Sequence, residues 1–480
     1  MCQLCFSRRD AIKMAAAGAA LPLIETTVKA SESYPPPSGD YLTAAKDAAA
    51  WIRASSKKTD QGLFWLPEPD HPEKTSTITP GATIYSGNAG TALFFVELAN
   101  ATGDHSYLDD ATQGADYVLS TWKDVTSFPL IKLKNAHLDF NHGLSGAAYS
   151  LAQVGRATGQ RKYRDAAIEI TNRIAAAATP AGQGIEWTGA QSAGLGDGSI
   201  ALYLLWAARE LENPSYAKIA TQAGTRFLEV AEREPNGGLK WVGFPFEKLG
   251  LKAGTYMPSF EFGTAGVAFV LARLFQETKD QRFLDAAQRG AQHIQRISTI
   301  KGDSALLFYR EPDEKKLFYL GYCSGPVGYS RVFYSLYQIT GDKAHLEWVE
   351  RYARGISESG APAHQTPGLW NVVCQCCGTA GISDLFTSLF IVTRKPEYLA
   401  FAKQVADYTI SRGTNLDGRG LRWYQAWTRV KPAEVTAETG FMIGASGVGA
   451  SLLRLHRAEQ NDYRALLFPD NPFPTARRNA

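Results

Sequence analysis

A short turn of the form Gly-x-x-Gly recurs along the chain, each copy followed by an apolar run, and no other feature restricts the fold as strongly. Clear copies are Gly87-Asn88-Ala89-Gly90, Gly143-Leu144-Ser145-Gly146, Gly263-Thr264-Ala265-Gly266, Gly325-Pro326-Val327-Gly328, Gly378-Thr379-Ala380-Gly381 and Gly444-Ala445-Ser446-Gly447. A degenerate copy, Gly194-Leu195-Gly196-Asp197-Gly198, stands between the second and third. Seven units at spacings of about 50–70 residues indicate a repeat architecture. In the sixth, Ile382, Leu385, Phe386 and Leu389 fall at i, i+3, i+4 and i+7, one face of a helix. A polar break such as Thr158-Gly159-Gln160 follows, and then a second helix opening on an aromatic residue, as at Tyr107, Tyr163, Phe283 and Tyr398.

Each unit is therefore an antiparallel helix pair, and the fold class is all-α. An open solenoid needs terminal units with polar outer faces. The first and last units here look like the middle ones, which favours a closed α/α toroid. The glycine-turn helices should form its inner wall and the aromatic-start helices its outer wall. No domain boundary interrupts residues 40–460, and residues 461–480 read as a polar C-terminal tail.

Net charge is +3 with no long basic run, which argues against nucleic acid as a partner. No apolar stretch reaches the roughly 20 residues of a transmembrane segment, and a monomer is expected. Ser7-Arg8-Arg9-Asp10-Ala11-Ile12-Lys13 precedes a short Ala-rich run and then Val28-Lys29-Ala30. Paired arginines before a weak apolar region resemble a twin-arginine signal. Residues 1–30 are thus expected to engage the twin-arginine export machinery and to send the folded chain to the periplasm or beyond.

Four cysteines remain in the repeat region. Cys323 lies two residues before Gly325, Cys376 and Cys377 lie directly before Gly378, and Cys374 is close by. Neighbouring packed helices are about 8–10 Å apart, so their ends can bring these thiols onto one ion, and helix N-termini favour thiolates. Zinc is one outcome. Disulfides, common in exported proteins, and buried free thiols are the others.

The glycine-turn repeats, Tyr322-Cys323-Ser324-Gly325 and Cys376-Cys377-Gly378 together resemble the lanthionine synthetase C-like family over roughly residues 40–460. The resemblance implies a seven-unit α/α toroid with Zn2+ held by Cys323, Cys376 and Cys377, the last in place of the family's histidine. It further implies an open zinc position at which a substrate thiol is activated for addition to a dehydrated residue of a peptide. Asp139, in Asp139-Phe140-Asn141-His142-Gly143, stands at the offset of the family's acid–base aspartate, and His142 directly before the glycine is a second candidate. Two family residues are missing: Phe262 replaces the cyclase histidine, and Tyr319-Leu320-Gly321-Tyr322 lacks the cyclase arginine. Glu261 is a substitute acid or a helix cap.

The expected function is an exported zinc protein that activates a thiol for addition to a peptide or small-molecule electrophile. Two alternatives differ in class. A carbohydrate-active toroid would use the loop residues Trp65, Trp187, Trp241, Trp370, Trp423 and Trp427. Some arabinofuranosidases carry a zinc-bound cysteine nucleophile with a glutamate ligand, but no glutamate is adjacent to Cys323 in sequence. A peptide-binding scaffold would instead use Cys374 to close a structural zinc site.

Overall fold

The computed structural model describes residues 40–71, 82–126, 133–242, 255–312, 316–364, 369–370, 372–426 and 432–474. The export segment 1–30 and Trp427 lie outside the described residues. Seven helices follow the glycine turns: Asn88–Thr102, Leu144–Thr158, Asp197–Glu210, Thr264–Thr278, Pro326–Thr340, Thr379–Thr393 and Ala445–Glu459. They are packed on all sides. In Pro326–Thr340 every residue from Pro326 to Leu336 is buried, as expected of an inner wall. The helices that alternate with them bury a single face. Gln281–Ile297, for example, buries Phe283, Leu284, Ala287, Ala291 and Ile294 and exposes its charges. The inner and outer walls are those the repeat predicts.

Closure uses both ends of the repeat region. The last inner helix, Ala445–Glu459, takes its outer partner from the start of the chain, helix Tyr41–Ala54, and packs laterally on the first inner helix. The sequence reading paired each inner helix with the one after it. The seventh pair instead joins residues about 400 apart, which locks the ring.

A belt of hydrogen bonds at the N-terminal ends of the inner helices records the same closure. The residue two before each helix-entry glycine is a member: Tyr85, Asn141, Gly194, Glu261, Cys323, Cys376 and Met442. Gly194 N–H donates to Glu261 O (3.1 Å), Glu261 to Cys323 (2.9 Å), Cys323 to Cys376 (3.2 Å) and Cys376 to Met442 (2.8 Å). Met442 then donates to Tyr85 (3.0 Å) and Tyr85 to Asn141 (2.9 Å). The Asn141 side-chain amide completes the circuit to Gly194 O at 3.3 Å. Entry segments can approach this closely only where side chains are absent. A Cβ on Gly328 would stand 2.2 Å from Tyr322 O and 2.5 Å from Phe260 Cβ.

Most of the outer helices lead into short two-stranded ribbons, and four loop tryptophans are structural. Trp65, Trp187, Trp241 and Trp423 are all buried. The indole N–H of Trp187 donates to Ile174 O (2.8 Å), that of Trp241 to Phe227 O (2.8 Å) and that of Trp423 to Thr409 O (2.7 Å). Each acceptor lies in the last turn of an outer helix, where carbonyls lack intrahelical partners.

The segment after the last inner helix turns back into the lumen. Leu466 N–H donates to Glu97 Oε1 (2.8 Å), and Tyr149 OH donates to Leu467 O (2.9 Å). Phe468 packs on Phe140 and Phe441, and Phe473 stacks on Tyr334. Residues 466–473 therefore fill the lumen, with Phe473 and Asp470 buried.

Candidate metal centre

Cys323 and Cys376 occupy equivalent belt positions in adjacent repeats, so the fold aims both side chains at the same region. Cys377, one residue on, precedes the entry glycine of its helix. The three sulfurs and no other described His, Cys, Asp or Glu atoms form a group lying within 4.8 Å of one another. Cys323 Sγ is 3.1 Å from Cys377 Sγ, and Cys377 Sγ is 3.5 Å from Cys376 Sγ. All are free thiols and buried, which removes the disulfide reading for them.

Zinc–sulfur bonds of about 2.3 Å in tetrahedral geometry space two sulfurs about 3.8 Å apart. The three buried thiols are already gathered to that scale, and the donor set is one zinc favours. The residues fit the ion. Burial raises the Cys376 thiol, but hydrogen bonds from the Cys323 and Cys377 thiols outweigh it, and His142 adds an electrostatic pull. Cys376 is held well below the usual thiol range, as a metal-ligand thiolate requires.

Cys374 stands apart from this group. Its sulfur accepts the Cys377 N–H at 3.4 Å, and its own N–H donates to Gln425 Oε1 at 3.0 Å. Near it, burial holds the Glu438 carboxyl well above the usual carboxylate range, with Glu68 and Cys374 adding to the effect. Glu438 was not singled out by sequence. It lies six residues before a glycine turn, a position that carries no motif.

Asp139 is fully buried and accepts the His142 N–H at 2.6 Å. Its other oxygen lies 3.6 Å from His142 Nδ1, and the imidazole stacks on Tyr85 with centroids 4.7 Å apart. The two residues thus form one buried unit beside the belt position of Asn141. Phe262 is buried beside Glu261, and Glu261 Oε2 is 3.8 Å from Cys376 Sγ.

The lumen side carries a second polar unit that sequence reading missed. Tyr322, next to Cys323, donates its hydroxyl to Asp470 at 2.6 Å. Arg331 pairs with Asp470 at 2.9 Å and lies over the Tyr322 ring at 4.6 Å. Burial, reinforced by Asp470, holds the Tyr322 phenol well above its usual range. A cavity of about 60 Å³ touches Tyr322, Arg331, Gln375, Arg454 and Asp470, room for a few water molecules. Only the fold brings a C-terminal aspartate under Cys323.

A family model described as "Lanthionine synthetase C-like protein" matches residues 134–366 and 263–468, which together span well over half of the chain. Among solved structures the chain is similar to nisin cyclase, with 14% identity, 82% of this chain and 92% of that chain covered, and a TM-score of 0.53. That likeness concerns the fold. A family 76 α-mannanase from Bacteroides thetaiotaomicron has 13% identity, 88% and 97% coverage and a TM-score of 0.45. A cellobiose 2-epimerase from Bacillus thermoamylovorans has 11% identity, 68% and 89% coverage and a TM-score of 0.42. No curated protein matches the sequence.

Proposed function

The chain belongs to the lanthionine synthetase C-like family, and from that premise we propose that Cys323, Cys376 and Cys377 hold zinc and activate a thiol for addition to an electrophile. The observation that carries the reading is the convergence of these three buried sulfurs within 4.8 Å at the entry ends of two adjacent inner helices. Zinc, when bound, would lower the pKa of an incoming substrate thiol.

The chain's own residues supply the rest. The thiol proton passes to a base, the new S–C bond forms as the alkene π bond breaks, and a proton returns to the adjacent carbon. His142 is the proton carrier of this reading, and Asp139, which accepts its backbone N–H at 2.6 Å and lies 3.6 Å from Nδ1, is the carboxylate beside it. The electrophile of this reading is a dehydrated peptide residue or a small molecule of the same type; Phe262 and the Tyr319–Tyr322 stretch, which replace the cyclase's histidine and arginine, count against full lanthionine formation. Trp65, Trp187, Trp241 and Trp423, four of the six loop tryptophans, are buried and do not present sugar platforms.

Metal analysis of the purified protein should give about one zinc per chain, lost in Cys323→Ser and Cys376→Ser. The loaded protein should speed addition of a small thiol to a dehydroalanine ester, and His142→Ala should slow it without releasing zinc. A folded, metal-free protein that cannot be loaded would end the proposal. Residues 1–30 are proposed to direct export. A reporter fused to them should leave the cytoplasm, and replacing Arg8 and Arg9 by lysine should retain it; export unaffected by that change would reject the signal.

A further inference from the structure

The belt has seven equivalent positions, and three consecutive ones carry Glu261, Cys323 and Cys376. Their backbones are joined directly, Glu261 N–H to Cys323 O and Cys323 N–H to Cys376 O. A glutamate that is 62 residues from Cys323 in sequence is thereby its neighbour in space. Its side chain is 2% exposed, and Oε2 lies 3.8 Å from Cys376 Sγ. Sulfur and oxygen at two corners of a tetrahedral zinc site stand about 3.6 Å apart.

The neighbouring repeat makes room for this side chain. At Gly194 an added Cβ would fall 2.2 Å from Glu261 Cγ and 3.0 Å from its Cα. Gly194 N–H also donates to Glu261 O at 3.1 Å. The belt thus lacks a side chain at the one position that the glutamate crosses, which accounts for the degenerate glycine turn there. Cys374 is engaged elsewhere, its sulfur accepting the Cys377 N–H at 3.4 Å, whereas Glu261 reaches Cys376 from the edge of the three-sulfur group.

We propose that Glu261 is the fourth protein group of the metal centre, a carboxylate that holds the open position at rest and yields it to the substrate thiol. This rests on the zinc reading above. A carboxylate oxygen is a harder donor than a thiolate, so an incoming thiolate can replace it at a site already rich in sulfur. The resident carboxylate then acts as a competitor. If it holds the position about nine-tenths of the time, it weakens apparent thiol binding about tenfold.

The test uses the full chain loaded with Co2+ and titrated with 2-mercaptoethanol, read by sulfur-to-cobalt charge-transfer absorption. Wild type should show three thiolate ligands and gain a fourth only at high thiol. Glu261→Gln should keep the three and bind the added thiol about tenfold more tightly. Gly194→Ala, which leaves the carboxylate present but displaces it, should follow Glu261→Gln. Unchanged or weaker thiol binding in Glu261→Gln would overturn the proposal and leave Glu261 as an outer hydrogen-bond acceptor of Cys376. Failure of wild type to take up Co2+ or Zn2+ would overturn the zinc reading, and this one with it.

Discussion

Replacing Trp187 by phenylalanine separates a structural tryptophan from a ligand platform. The indole is fully buried, its N–H donates to Ile174 O at 2.8 Å, and its backbone N–H donates to Asp197 Oδ1 at 3.1 Å. Phenylalanine keeps the backbone bond and most of the ring but loses the indole N–H. Ile174 O is then a buried carbonyl in the last turn of its helix without its partner, at about 1–2 kcal/mol. Removing about 40 Å³ of ring at about 24 cal/mol per Å³ adds about 1 kcal/mol. The sum is about 2–3 kcal/mol. With an m-value of about 3 kcal/mol per M for urea, the midpoint followed by far-UV circular dichroism should fall by about 0.7–1 M. Trp187→Ala should lose more, about 3–5 kcal/mol. An unchanged midpoint in Trp187→Phe would refute the packing argument, and loss of oligosaccharide binding alongside it would restore the carbohydrate reading.

Asp470→Ala should cost about 3–5 kcal/mol, because it leaves Arg331 buried without its carboxylate and Tyr322 without its acceptor; a urea midpoint within error of wild type would show that the lumen segment is dispensable. Burial pushes the Asp197 carboxyl up to about 6, above its unfolded value of about 4. The native chain therefore binds that proton more tightly, and the associated stability is full below about pH 4 and lost as pH rises through about 6. Urea midpoints of wild type relative to Asp197→Asn should accordingly fall between pH 4 and pH 7, and a flat difference would contradict the shift. Gly328→Ala should displace the Tyr322 carbonyl, 2.2 Å from the new Cβ, and so disturb Cys323. A drop in thermal midpoint together with weaker zinc binding is expected, and normal values for both would argue against the tight entry turn.

Local chemistry along the chain was enough for the walls of the toroid. Gly-x-x-Gly before an apolar run can only open a closely packed helix, and Ile382, Leu385, Phe386 and Leu389 can share a face only at helical spacing. The same repeat register assigned Cys323, Cys376 and Cys377 to one end of the ring, because identical offsets from a helix start mean identical height on the wall. Periodicity says nothing, however, about which repeats meet across the lumen or about what the last residues do. Tertiary structure decided that Tyr41–Ala54 completes the seventh pair, that residues 466–473 fill the lumen as far as Tyr322, and that Trp65, Trp187, Trp241 and Trp423 are buried. It also brought a carboxylate to the edge of the cysteine group. Glu261 precedes a helix glycine and reads from sequence as a cap or an acid. Only the hydrogen-bonded belt, whose links between successive repeats join residues 50 to 70 apart and whose closing link joins Met442 to Tyr85, sets its carboxylate beside Cys376, because contact between repeats depends on ring closure and not on any residue's neighbours in the chain.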